Sequence, residues 1–236
     1  MRKSPAPHAR MLRTVLCAGL CILAAALPCL GAPQKVDRSA PAPVLSAFIA
    51  VPPGPSNPEM QAIQELWTTA LSRHDPEKAF GNDIQAMPAP ILAQWKNLSK
   101  RMPSWTAVEK LQNINGFFNR WDSKSDLENY GVEEYWAIPE EFLEKGGGDC
   151  DDFAIIKYLA LRYFGWPEQD LWLLLGKEHK SGRNHAVLAA RTGEKMFILD
   201  NLSKPAYLLI PEKQYMQNFT PLYAINELGA WIFKEK

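Results

Sequence analysis

The sequence predicts an α+β fold: N-terminal helices, then a mostly antiparallel sheet, with one buried helix packed on that sheet. Three observations predict it. Apolar residues recur at helical spacing between Asn57 and Trp121, the period changes to short strands after Gly165, and Phe153–Phe164 between them is apolar almost throughout. With 47% hydrophobic residues and 8 Trp among 236 residues, the chain can fill one full-sized core, which argues against disorder and against a disulfide-stapled miniprotein. Basic and acidic residues balance at 26 each. A dedicated nucleic-acid binder needs a basic excess, so no nucleic-acid partner is expected.

The first residues read as an address. Residues 1–13 hold Arg2, Lys3, Arg10 and Arg13 and no acid, and Thr14–Leu27 is an uncharged apolar run. This is a secretory signal over residues 1–31, too short for a membrane anchor, with cleavage expected near Gly31 or Ala32. Leu27 and Pro28 ahead of Cys29 are not the small residues that a lipoprotein signal needs. Export removes Cys17, Cys21 and Cys29 together with four basic residues. The mature chain is therefore mildly acidic and keeps one cysteine, Cys150, which is either inert in the core or chemically used.

From Pro33 to Pro58 there are seven prolines in 26 residues. Residues 32–56 are read as a linker or strap whose candidate strand is Val44–Val51, and residues 57–236 as the domain. Asn57–Ser72 has a helix cap and an apolar face of Met60, Ile63, Trp67 and Leu71. Ile91–Arg101 and Trp105–Trp121 also read as helices. The predicted strands are Leu171–Leu175, Ala186–Ala190, Lys195–Leu199, Tyr207–Ile210, Leu222–Ile225 and Trp231–Phe233.

Cys150 follows Gly146-Gly147-Gly148-Asp149 and opens the buried helix. The glycines permit a turn with positive φ, Asp149 is a good N-cap, and Gly165 and Pro167 close the helix. In the first turn of a helix, unpaired N–H groups and the dipole stabilise a thiolate, and they can hold an oxyanion on a substrate carbonyl. Three flanking acids oppose this, so something cationic must compensate them. His74 reads as solvated at a helix end, and His179 as part of a hairpin loop. His185 opens a strand, and the next strand ends in Asp200. Pairing Val187 with Ile198 across the Arg191–Glu194 turn would set His185 opposite Asp200, giving a Cys150, His185, Asp200 triad.

These residues resemble the bacterial transglutaminase-like cysteine proteinases, the LapG-type periplasmic proteases. The likeness rests on Tyr135–Leu143, on Gly-Gly-Asp-Cys-Asp-Asp-Phe-Ala-Ile-Ile-Lys-Tyr158, on Asn184–Val187 and on Leu199–Asn201, with Asn115 and Asn119 in the upstream helix. It implies a papain/transglutaminase-like fold with Cys150 as nucleophile, His185 as base then acid, and Asp200 as orienter. It also implies a periplasmic location and cleavage of a large surface adhesin near its N-terminal retention module, after a pair of small residues. An inner-membrane cyclic di-GMP receptor would sequester the protease and so restrain biofilm dispersal. Family members bind calcium through the acids beside the nucleophile, here Asp149 and Asp151, the latter shorter than the Glu often found there. Asp152 stays open between ligand, cap and solvent-facing residue.

Two other readings remain. The same triad could serve a transglutaminase or amidase, since the sequence does not distinguish water from an amine as second nucleophile. A non-catalytic periplasmic binding domain could keep the fold without the chemistry. A zinc site is the weakest option, because four ligands are not apparent.

Overall fold

The computed structural model describes residues 42–236 other than Ser56. The signal-peptide reading and the first part of the Pro-rich segment lie outside them. Within that segment Phe48–Val51 forms strand β1, and Leu45 just before it is fully buried. The packed domain therefore takes in residues ahead of Asn57.

Helix α1 is Pro58–Arg73, started by Asn57, whose Oδ1 accepts from Met60 N at 2.8 Å. The short α2, Pro76–Phe80, is capped by Asp75. Next comes α3, Ala89–Arg101, and then α4, Ala107–Phe118, which begins with a Thr106–Glu109 capping box. Strand β2 (Asp122–Ser123), α5 (Asp126–Tyr130) and α6 (Pro139–Lys145) lead to β3 (Gly147–Gly148), which pairs parallel with β2. The long buried helix is α7, Cys150–Tyr163. The helices predicted from periodicity are present. Those shorter than two turns were not predicted, because five to seven residues cannot display a helical period.

Strands β4 (Leu171–Glu178), β5 (Asn184–Thr192), β6 (Lys195–Leu199) and β7 (Ile210–Pro211) follow, then α8 (Glu212–Tyr215), β8 (Phe219–Asn226) and β9 (Gly229–Glu235). The seven-stranded sheet has the order β1-β9-β8-β4-β5-β6-β7 and is antiparallel throughout. Alternation divides its two faces. Leu171, Leu173, Leu188 and Ala190 join the helices in the main core, while Trp172, Leu174, Val187 and Ala189 join Leu45, Phe219 and Phe233 on the other side. Helix α7 packs on β5 and β4, flanked by α4 and α6.

Two expectations are corrected. Tyr207–Leu209 is not strand, and only Ile210–Pro211 pairs with β6. Asn119 captures the carbonyl of Ala206 and Asn115 that of Leu208, so these groups are diverted from a ladder to helix α4. The β5–β6 hairpin also closes more tightly than predicted. Thr192 faces Lys195 and Ala189 faces Ile198, with Gly193 at φ 58° in the turn. A two-residue connection that starts with a left-handed glycine has a backbone twist that matches the flanking strands.

Candidate active site

The glycine run before α7 has two distinct jobs. Gly146 and Gly147 sit at φ 75° and 141° and turn the chain. Gly148 makes room, since a Cβ there would lie 2.2 Å from Asp152 Oδ2. Asp149 is the N-cap of α7, and Asp152 reaches back to accept from Asp149 N at 3.2 Å and from Ala137 N at 2.7 Å. Asp152 is thus a fully buried staple between the helix start and the segment before α6. Cys150 follows at the first helical position, half-buried, with the positive end of the helix dipole behind it.

Strands β5 and β6 bring the partners. Leu188 faces Leu199, so Asp200 falls level with Val187 and diagonal to His185. His185 Nε2 lies 3.0 Å from Asp200 Oδ1, and His185 and Cys150 line the same groove. Two further groups hold Asp200: Leu202 N donates to Oδ1 at 2.9 Å and the Tyr215 hydroxyl to Oδ2 at 2.9 Å. Asn119 donates to its backbone carbonyl at 2.7 Å. Burial alone would raise the Asp200 carboxyl, but its bond to His185 and the imidazole charge outweigh that and hold it below the usual carboxylate range. Burial likewise works against a charged His185, yet Asp200 and Cys150 raise it to about 10. A thiol beside an imidazolium that a carboxylate orients is equipped for nucleophilic attack on a carbonyl carbon.

These groups open into a groove of about 410 Å³. One wall is the α1 face carrying Ile63 and Leu66; Trp136, Leu175, Leu222 and Tyr223 complete its apolar lining. Glu59 and Glu134 stand at the groove, each tied to an aromatic neighbour, Tyr223 and Trp136 respectively. Trp136 is thus both core and groove wall.

The acids beside Cys150 form the second part of the site. Carboxylate oxygens of Asp126, Asp149 and Asp152 lie within 4.8 Å of one another. Asp126 Oδ1 and Asp149 Oδ1 are buried without a hydrogen-bond partner among the described residues. Burial and mutual repulsion raise the Asp126 carboxyl to about 6 and that of Asp152 to about 8. Asp151 is not in this trio, although its Oδ1 is also buried without a hydrogen-bond partner among the described residues; burial and the neighbouring Asp149 carboxyl hold its own well above the usual range. Three converging carboxylates with orphaned oxygens suit a hard divalent cation. Asp126 was not singled out from the sequence because it sits far upstream of Cys150, at the start of a five-residue helix. Tyr215 carried no motif either. His74 is corrected from solvated to side-chain-buried: Nδ1 meets Glu140 Oε2 at 2.9 Å and the ring packs on Phe80. His179 lies beyond β4 in the hairpin turn, 2.8 Å from Thr220 Oγ1.

Comparison with known proteins bears on the fold and the family. No curated protein sequence matches the chain. Among solved structures, calcium-bound LapG of Legionella pneumophila is 26% identical with a TM-score of 0.53, over 72% of this chain and 87% of that one. EGTA-treated LapG from the same organism is 26% identical with a TM-score of 0.54, over 73% of this chain and 86% of that one. The family model of the bacterial transglutaminase-like cysteine proteinases matches residues 93–219. That span runs from α3 to the start of β8, more than half the chain, and takes in Asp126, Cys150, His185 and Asp200. The chain has a transglutaminase-like fold and belongs to the bacterial transglutaminase-like cysteine proteinases.

Proposed function

We propose that this protein is a calcium-dependent periplasmic cysteine endopeptidase that cuts a large surface adhesin near its N-terminus and so promotes biofilm dispersal. The observation that carries the reading is Cys150 at the start of α7 in one groove with His185, which is paired to Asp200. The signal-like N-terminus supports export, and family membership supports adhesin cleavage and restraint by an inner-membrane cyclic di-GMP receptor.

In this mechanism the Cys150 thiolate attacks the scissile carbonyl carbon, and the first N–H groups of α7 stabilise the oxyanion. His185 donates its proton from the thiol-facing nitrogen to the leaving amine, leaving a thioester on Sγ. It then takes a proton from the attacking water, whose oxygen adds to the thioester carbon; the C–S bond breaks, the acid leaves and the thiolate–imidazolium pair is restored. Asp200 keeps the ring oriented and its charged form stable, with Tyr215 and Leu202 N fixing the carboxylate. Asp126, Asp149 and Asp152 would hold calcium, with Asp151 adjacent. When bound, the ion neutralises the acids that otherwise oppose a thiolate at Cys150.

The test is incubation of the purified protein with N-terminal adhesin fragments encoded in the same genome, with calcium or with chelator. A discrete cut that needs calcium and is lost in a folded Cys150→Ala variant is expected. Cleavage by Cys150→Ala at the wild-type rate would sink the proposal.

A further inference from the structure

Helix α7 buries a lysine that the mechanism above does not use. Lys157 is 0% exposed, and its Nζ has no hydrogen-bond partner among the described residues. It sits over the Phe153 ring at 5.7 Å from the centroid. An unpartnered ammonium in the core is costly, and an aliphatic side chain of similar size would satisfy a purely structural need better. Two turns along the helix from Cys150, Lys157 shares the helical face that carries the thiol.

The surroundings connect it to the end of β6. Burial pushes Lys157 down to about 7, and the Asp200 carboxylate is the charge that pulls it back up. Helix α4, which packs on α7, ties down the chain after β6: Asn119 donates to Asp200 O and Ala206 O at 2.7 and 2.8 Å, and Asn115 to Leu208 O at 2.9 Å. The side-chain oxygens of Asn115, Asn119, Asn201 and Ser203 are buried and unpartnered among the described residues. Buried polar atoms without partners thus occur on α7, on α4 and in the chain after β6, and α4 packs on α7. Charge balance points the same way. Thiolate, imidazolium and carboxylate together carry one net negative charge in a low-dielectric interior, and one ammonium cancels it.

We infer that Lys157 is a positioning residue for the reaction, its buried ammonium acting through Asp200 to keep that carboxylate engaged with His185 and to balance the charge of the resting ion pair. The inference rests on the reading of Cys150, His185 and Asp200 as the catalytic set. It assigns a role to a side chain that touches neither substrate nor the reacting atoms.

The decisive variant is Lys157→Met. On the adhesin fragment, kcat is expected to fall about 10-fold or more with KM nearly unchanged. The melting temperature should hold or rise, since a buried charge is removed. In an Asp200→Asn background the same change should cost nothing further, because the partner it acts through is gone. The hydrogen-bonded ring N–H proton of His185, read by NMR without any substrate, should shift in Lys157→Met. Wild-type kcat in a folded Lys157→Met protein, or an equal loss in both backgrounds, overturns the inference. If Lys157→Met does not fold, Lys157→Gln is read the same way. Failure of both to fold assigns the lysine to the fold alone and also overturns it. A wild-type protein that cuts no fragment defeats the proposed function instead; the NMR signal then decides for Lys157, and an unshifted proton counts against it.

Discussion

His185 Nε2 and Asp200 Oδ1 meet at 3.0 Å although the two residues are not direct partners in the ladder. Asp200 lies level with Val187, and the pair closes on a diagonal, two residues along β5. A diagonal contact across an antiparallel pair is within reach of an imidazole, and it lets the ring present its other nitrogen to Cys150. The carboxylate fixes which nitrogen carries the proton. Asp200→Asn should therefore leave the protein folded and lower kcat by a factor on the order of 10⁴. Steady-state cleavage of the adhesin fragment measures it, and a loss of only a few-fold would mean that the ring is oriented by other groups.

Tyr215 offers a finer probe of the same carboxylate. Its hydroxyl donates to Asp200 Oδ2, the oxygen that His185 does not use. Tyr215→Phe removes one charge-assisted hydrogen bond while keeping the ring in the second core, so stability should drop by about 1.5–3 kcal/mol. Because two other donors still hold Asp200, kcat should fall far less than in Asp200→Asn. Chemical denaturation and cleavage rates, taken together, check both halves of this expectation.

The legible part of the molecule is whatever leaves a periodic or local trace. The apolar face of α1, the glycine turn before Cys150 and the alternation along β4, β5 and β6 all do, and strand order alone brings His185 to Asp200. The expected register is two residues off because Gly193 in a two-residue turn shortens the hairpin. That error does not separate the pair, since a two-residue slip keeps every side chain on its own face. Asp126 and Tyr215 are not legible, because each reaches the site through tertiary packing of a helix of four or five residues. Tyr207–Leu209 fails as a strand for a related reason: Asn115 and Asn119, remote in sequence, take carbonyls that a ladder would need.

Gly148 tests how the glycine run supports the acids. A methyl group at this position would collide with Asp152 Oδ2 at 2.2 Å and with its Cβ at 2.7 Å. Asp152 is fully buried and holds both Ala137 N and Asp149 N, so it has nowhere to retreat. Gly148→Ala should destabilise the protein by about 1–3 kcal/mol, the usual range for overpacking. It should also weaken any calcium-induced rise in melting temperature, because the displaced carboxylate belongs to the acidic trio. A variant with wild-type stability and an intact calcium response would count against this account of the turn.

The acidic trio gives a pH signature whose sign can be worked out. In the metal-free fold the Asp126 and Asp152 carboxyls are raised from 3.8 to about 6 and about 8, and Asp151 is raised well above 3.8. Between roughly pH 4 and pH 8 the folded protein therefore keeps protons that the unfolded chain has released, and stability falls as pH rises through that window. His185, raised from 6.5 to about 10, adds a fall of the same sign above its unfolded value. Lys157, pushed down from 10.5 to about 7 by burial, acts with the opposite sign above about pH 7 and largely offsets the His185 contribution there, so the net fall comes from the acids. Calcium displaces the protons on the acids, since a ligating carboxylate must be ionised, so its binding should strengthen as pH rises and offset the loss. Melting temperatures measured across this range in chelator should decline toward alkaline pH, and the gap to the calcium curve should widen. Asp126→Asn, which removes one crowded carboxylate, should flatten the chelator curve and narrow the gap. Parallel curves with and without calcium would place the ion elsewhere, or nowhere, because an ion held by these raised carboxyls must release their protons as it binds.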